Sequence, residues 1–261
     1  MRIAALGAGL LLSVTLVAGP ADAHGALESP LSRAAACGET SVRSAACRAA
    51  QKTTGSALPK EWDNLRVSNV AGRDRQMIPD GKLCSGGLPE FRGLDLARRD
   101  WPATTVKPGV QFTFKYRGTI PHKGTFRFYV TKKGYDPAGP LKWSDLEGKP
   151  FLQAKDPKLV DGAYLIKGRM PTGRTGRHLI YTIWQNSDTP DTYYSCSDVI
   201  FSSAAAANRA RPAAALQVSA TSSSSSSVPW PVGVAALLGV GTGAAVITGL
   251  RAGRRRRRLD S

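Results

Sequence analysis

The 261-residue sequence predicts an all-β domain, a β-sandwich interrupted by one long excursion of loops and short helices, with a single C-terminal transmembrane helix behind it. Three observations predict this. Apolar and polar residues alternate with period two in the second half of the chain. Glycine and proline punctuate those stretches at short intervals. An uncharged run of membrane-spanning length follows a linker near the C-terminus. Alternation at period two is the mark of strands with one face buried. Short strands with frequent turn residues favour a sandwich.

The first element is an export signal over residues 1–23. Arg2 gives a positive start, residues 3–18 are almost all apolar, Gly19-Pro20 breaks the run, and Ala21-Asp22-Ala23 has the small-x-small form of a cleavage site. Cleavage after Ala23 makes His24 the first residue of the mature chain. Residues 24–202 then form one domain of ordinary size. Its strands are predicted at 110–117 (VQFTFKYR), 125–131 (TFRFYVT), 178–184 (HLIYTIW) and 193–201 (YYSCSDVIF). Residues 40–105 carry turn signals at Pro59, Gly72, Pro79-Asp80-Gly81 and Gly86-Gly87 with weak periodicity, and a short helix is predicted at 41–52. An excursion of this length in a compact domain is often functional.

Residues 203–227 are rich in Ala and Ser, end in the serines Ser222 to Ser227, and read as a flexible linker. Residues 228–250 contain no charge and are long enough to cross roughly 30 Å of hydrocarbon as a helix. The tail 251–261 carries Arg251 and the run Arg254 to Arg258, which marks the cytoplasmic side. The run lies against an apolar span, so it reads as a topological signal and not as a nucleic-acid patch. The sequence therefore predicts an exported, monomeric outer domain anchored in the cell membrane by its C-terminal helix.

The formal charge is +17; six arginines against one aspartate in the tail account for +5, leaving +12 on the rest. The outer portion is basic in its own right, which names no partner by itself. Four cysteines, Cys37, Cys47, Cys84 and Cys196, form no CxxC pair. In an exported domain they read as two disulfides, Cys37–Cys47 as a local loop and Cys84–Cys196 as a long-range staple. Their spacings do not match a zinc knuckle.

The chemistry rests on three histidines, His24, His122 and His178. A terminal His24 offers its α-amine and its imidazole to one metal ion, and the amine can lose its proton at modest cost. A second imidazole completes three nitrogens in a tetragonal arrangement, which suits Cu(II). His122 lies in a turn, RGTIPHKGTF, between two predicted strands, and His178 opens a strand after GRTGR. His178 reads better as a strand-edge histidine with structural hydrogen bonds.

The stretches HGALESPLSRAAAC, WDNLRV, GRDRQMIPDGKLCSGG, GLDLARRDWPAT, YRGTIPHKGTFRFYVTKKGYDP and GRTGRHLIYTIWQNSDTPDTYYSCSDVIF cover essentially all of residues 24–201. On them the chain resembles the bacterial lytic polysaccharide monooxygenases of auxiliary-activity family ten, or chitin-binding type three; none of these stretches falls in the linker or the span, which add the expected membrane-anchored form. The resemblance implies an immunoglobulin- or fibronectin-III-like sandwich. It implies one copper ion held by the amine and Nδ1 of His24 and Nε2 of His122, with Tyr193 near the axial position where the family usually has Phe. Trp184 would lie buried close to the metal, Gln185 would take an outer role there, and Ile120 would stand where many members have Ala. Trp62, Asn186 and Asp188 would lie on the flat surface that meets the glycan.

The implied activity is redox cleavage of a β-1,4-linked polysaccharide, such as chitin, cellulose or a related cell-surface glycan. It needs an external reductant, with hydrogen peroxide or dioxygen as co-substrate. Two alternatives share the same residues: a protein outside the cytoplasm that binds and delivers copper, and a glycan-binding protein without chemistry.

Overall fold

The computed structural model describes residues 23–38, 44–55 and 61–202. The export signal up to residue 22, the linker, the expected span at 228–250 and the arginine-rich tail lie outside the described residues. Among the described residues no helix is long and apolar enough to cross a membrane.

In chain order the elements are β1 (His24–Ser29), α1 (Arg33–Gly38), α2 (Ala45–Thr54), β2 (Arg66–Val67), α3 (Asp74–Met77), a 3₁₀ segment (Pro89–Asp95), β3 (Ala103–Val106), β4 (Gln111–Ile120) and β5 (Gly124–Val130). A 3₁₀ turn (Trp143–Asp145) follows, then β6 (Leu152–Lys155), β7 (Leu159–Val160), β8 (Ala163–Arg169), β9 (Gly176–Asn186) and β10 (Thr192–Phe201). One sheet runs β1-β4-β8-β7; the other runs β2-β10-β9-β5-β6, with β3 parallel to β10. The four predicted strands are β4, β5, β9 and β10, each with ends shifted by a few residues.

The two sheets close on an aromatic cluster. Phe114 and Tyr116 from β4, Phe126 and Phe128 from β5, Tyr164 and Ile166 from β8, Trp184 from β9 and Tyr193 from β10 all belong to it. Alternation explains the membership, because residues two apart on a strand share a face. The other face of β9 and β10 is buried too, which differs from the expected one-faced burial. Leu179, Tyr181, Ile183, Tyr194 and Cys196 pack against the excursion, in a second cluster with Ala46, Ala50, Leu83, Phe91, Leu94, Trp101 and Trp143. The excursion is thus the cover of one sheet face.

Local chemistry builds that cover. Ser44 caps α2 by accepting from the Cys47 N–H at 3.0 Å, and Gly55 closes it at φ 83°, where a side chain would be strained. The expected helix at 41–52 is therefore α2, displaced towards the C-terminus, with residues 41–43 outside the described set. Cys37 is joined to Cys47, linking α1 to α2, and Cys84 is joined to Cys196, linking the excursion to β10. Beneath them Arg33 Nε donates to Asp198 Oδ2 at 2.7 Å, with the two side chains 4% and 0% exposed. Asp198 also lies 3.5 Å from Arg177 Nη1, and Arg33 Nη1 donates to the Leu94 carbonyl at 2.8 Å, so the buried charges are neutralised.

Candidate metal centre

His24 heads β1 and is the Cα partner of Ile120, the last residue of β4. Two residues later comes His122. The antiparallel pairing therefore brings both histidines to one end of the β1–β4 pair, although 98 positions separate them in sequence.

Two hydrogen bonds hold the backbone after His24, and a third braces Asp63. The Gly25 N–H donates to the Asp63 carbonyl at 2.9 Å, and the Tyr116 hydroxyl donates to the Gly25 carbonyl at 2.9 Å. Thr119 Oγ1 donates to Asp63 Oδ2 at 2.5 Å, tying the same excursion residue to β4. A Cβ at position 25 would come within 2.4 Å of the Arg117 carbonyl oxygen, so glycine is required by close approach. The turn carrying His122 is clamped by Tyr164, whose hydroxyl accepts from the His122 N–H at 2.9 Å and donates to the His122 carbonyl at 2.7 Å. A hydroxyl in both roles must be neutral; burial and the nearby Asp188 and Asp156 charges push its pKa up, while the His122 bond works against this.

The side chains are equally constrained. His122 Nδ1 lies 2.9 Å from Asp188 Oδ2. A carboxylate there requires the proton on Nδ1, which leaves the Nε2 lone pair available. His24 Nδ1 is buried and has no hydrogen-bond partner. A buried imidazole nitrogen without a partner is costly, and a metal ion is one group that can satisfy it. The residues present fit a copper ion by this test: two imidazole nitrogens with unused lone pairs, to which the expected cleavage after Ala23 would add a terminal amine. Among the described residues no three His, Cys, Asp or Glu side chains form a metal cluster.

Behind the histidines stand the largest aromatics of the inter-sheet cluster. Trp184 is fully buried, stacks on Phe126 at 5.2 Å and 8°, and lies 5.2 Å from Tyr193, its register partner on β10. A Cβ at Gly124 would sit 2.7 Å from Trp184 Nε1, so this strand start must also be glycine. Ile120 is 43% exposed at the mouth. Beside it Pro121, His122, Leu159, Tyr164, Asp156 and Asp188 line an open groove of about 580 Å³.

Three expected positions read differently in the structure, and a fourth, Asp188, has a second partner. Asn186 is 4% exposed: its amide donates to Thr189 Oγ1 at 3.1 Å and closes the turn before β10, so it is not a surface residue. Gln185 points to the opposite face of β9 from Trp184, where its Oε1 accepts from Arg127 at 3.2 Å, so it takes no place beside the aromatic cluster. Trp62 is half-buried, because its ring packs on Gly38 at the end of α1. Asp188 is 46% exposed, as expected of a surface group, yet it is bound to His122.

His178 stays apart. It is 5% exposed, its Nδ1 is 2.9 Å from Thr131 Oγ1, and burial lowers its pKa. Six residues along β9 separate it from Trp184, about 20 Å of strand. Tyr164 and Asp63 went unnoticed in the sequence. Both act across long chain separations, and only the alternation within AYLIKGR hints that Tyr164 faces inward.

Residues 24–199 match the family described as lytic polysaccharide mono-oxygenase, cellulose-degrading. The chain belongs to this family. The chitin-binding protein CbpD of Pseudomonas aeruginosa is 43% identical over 192 residues, covering 71% of this chain and 49% of that protein. A lytic cellulose monooxygenase of Streptomyces ambofaciens is 36% identical over 220 residues, covering 77% of this chain and 60% of the relative. The chain thus spans about half the length of CbpD. The solved structure of the cellulose-active lytic polysaccharide monooxygenase CelS2 in complex with copper has a TM-score of 0.63 at 34% identity, covering 68% of this chain and 98% of that one. A lytic polysaccharide monooxygenase important for chitin utilisation in Cellvibrio japonicus has a TM-score of 0.59 at 36% identity, covering 68% of this chain and 99% of that one. The sandwich is therefore the lytic polysaccharide monooxygenase fold.

Proposed function

We propose that the chain, once cut after Ala23, is a copper monooxygenase that oxidatively cleaves a β-1,4-linked polysaccharide. The observation that carries this reading is the pairing of His24 with Ile120, which sets His24 and His122 at one end of one strand pair. The amine and Nδ1 of His24 and Nε2 of His122 are the three nitrogens that would hold the ion. Copper held there supplies one-electron redox chemistry, driven by an external reductant with hydrogen peroxide or dioxygen.

The protein's part is positional. Asp188 keeps the His122 proton on Nδ1. Tyr164 fixes the His122 backbone, and Asp63 with Tyr116 fixes the Gly25 backbone. Trp184, Tyr193, Phe126 and Tyr116 exclude water from behind the nitrogens. Ile120 stands over the mouth and limits what approaches. The open groove beside His122 offers ring faces a wall of Pro121 and Leu159, and Asp188 and Lys123 offer polar edges for hydroxyls. An open surface suits a packed glycan, where a deep cleft would not.

In the structure Ala23 is fully buried and its carbonyl is joined to the His24 nitrogen. Cleavage removes that residue and turns an amide into a ligand. The printed names of the relatives speak for chitin in one case and cellulose in another, so both are arms of the test. Residues 228–250 serve, in this reading, as an anchor that holds the domain near the cell surface. The linker reaches on the order of 30 Å as a flexible coil.

Mass spectrometry of products from chitin and cellulose, with reductant and peroxide, tests the activity. Oxidised oligosaccharides are expected from protein beginning at His24. Protein with one extra residue before His24 should give none, and equal yields from both would sink the proposed ligand set. Recovery of the whole protein only in culture fluid, with none in the membrane fraction, would refute the anchor.

A further inference from the structure

The outer face of the sheet containing β9 carries a second concave patch, with none of the three histidines in its lining. Between α3 and that face lies a pocket of about 300 Å³ lined by Arg73, Asp74, Arg75, Arg127, Tyr129 and Trp143. Three guanidinium groups meet one carboxylate there. That carboxylate is fully used: Asp74 Oδ2 accepts from Arg127 Nη2 at 3.0 Å, and Asp74 Oδ1 accepts from the Tyr194 hydroxyl at 2.9 Å. Two positive charges are left over in a concave space.

The guanidinium groups are presented, not incidental. Arg127 Nε is buried with no hydrogen-bond partner, although Nη2 of the same group is held by Asp74 and Gln185. Arg75 is exposed, and its guanidinium carbon sits 5.0 Å above the Trp143 ring. Arg73 donates to the Asn69 and Val70 carbonyls and straps the loop that precedes α3. That loop is held in left-handed backbone at Asn69 (φ 58°), Ala71 (φ 46°) and Gly72 (φ 80°). The two residues with side chains adopt this region at a cost, and the surrounding bonds maintain it.

Planar forks with free donors bind oxyanions by paired charge-assisted hydrogen bonds. We infer that this pocket is a binding site for a small oxyanion-bearing molecule, a carboxylate or a phosphate, with Arg75 and Arg127 as its donors. The volume admits a ligand of about sugar size, and Tyr129 and Trp143 give it one aromatic wall. Nothing in this inference depends on the metal.

Calorimetric titration of the full chain in detergent tests it, using sodium phosphate and sodium gluconate as probes and glucose as the uncharged control. Runs with and without copper separate this site from anion binding at the metal. Both anions are expected to bind one-to-one in both runs, and glucose not at all. Arg75→Gln should weaken binding about tenfold with an unchanged unfolding temperature, and Arg75→Lys should recover only part of it. Lys167→Gln with Arg169→Gln, on the exposed face of β8, removes as much or more charge elsewhere and should change little. Absence of saturable binding, binding seen only with copper, or an equal loss from the β8 control would overturn the proposal.

Discussion

The two faces of the sheet containing β9 are buried by different means. On the inner face, regular strands oppose regular strands, and the cluster is held by aromatic packing distributed over many residues. On the outer face, short helices and loops lie on the same strands, and the contact is reinforced by two disulfides, the Arg33–Asp198 pair and an Arg33–Trp101 stack at 4.4 Å. The difference has a physical cause. A strand pair satisfies its own backbone and presents a continuous apolar face. An irregular segment buries less per residue and loses more conformational entropy on ordering, so a few strong links must hold it.

The sharpest way to break this comparison is to cut the links. Replacing Cys84 and Cys196 with serine opens a closure of 112 residues and should destabilise the domain by about 4–5 kcal/mol in chemical denaturation. The same change at Cys37 and Cys47, a separation of 10, should cost about 2–3 kcal/mol. Equal losses would mean that loop closure does not govern the outer face.

A pH titration tests the same face more gently. Asp95 ends the 3₁₀ segment of the excursion, where burial pushes its pKa up to about 6 despite hydrogen bonds from Ser85. Between pH 4 and 6 the folded chain therefore keeps a proton that the unfolded chain has lost. Stability should fall as pH rises through that window, by roughly 2–3 kcal/mol, and then level off. Asp95→Asn should flatten the slope, as followed by urea unfolding at each pH.

On the inner face a single residue should matter less. Phe126→Leu removes one of several rings packed on Trp184 and should lower stability by about 1–2 kcal/mol. The smallest stability change belongs to Asp188→Asn. It should alter folding by less than about 0.5 kcal/mol, since the side chain is 46% exposed. Yet copper affinity, measured by calorimetry on protein beginning at His24, should fall about 10- to 100-fold. A large loss of stability without a loss of affinity would make Asp188 a structural group only.

The sequence made the inner face legible and the outer face much less so. β4, β5, β9 and β10 announce themselves because one residue in two is apolar. β8 hides because the exposed Leu165 blurs the pattern of AYLIKGR, and β2 is two residues long. His24 and His122 are readable because a cleavage motif and a proline-turn mark them. Tyr164 is not, since its bond to His122 crosses 42 residues. Asn186 and Gln185 show the limit of assigning neighbours by proximity in sequence. Adjacent strand residues face opposite ways, so Gln185 leaves the Trp184 face, and Asn186 returns to it only to be enclosed by the following turn.

The place of β10 has a consequence for biogenesis. The last strand of the domain pairs with β9, β2 and β3 and carries the partner of Cys84. A chain that crosses a membrane from its N-terminus delivers this keystone last. β1 and β4, which bring His24 and His122 together, both precede β10 and can pair while the larger sheet is still incomplete, with Cys84 an unpaired thiol. On the proposed export route, the chain would pass through a half-assembled state in which His24 and His122 are already paired across β1 and β4 before the Cys84–Cys196 bond can form.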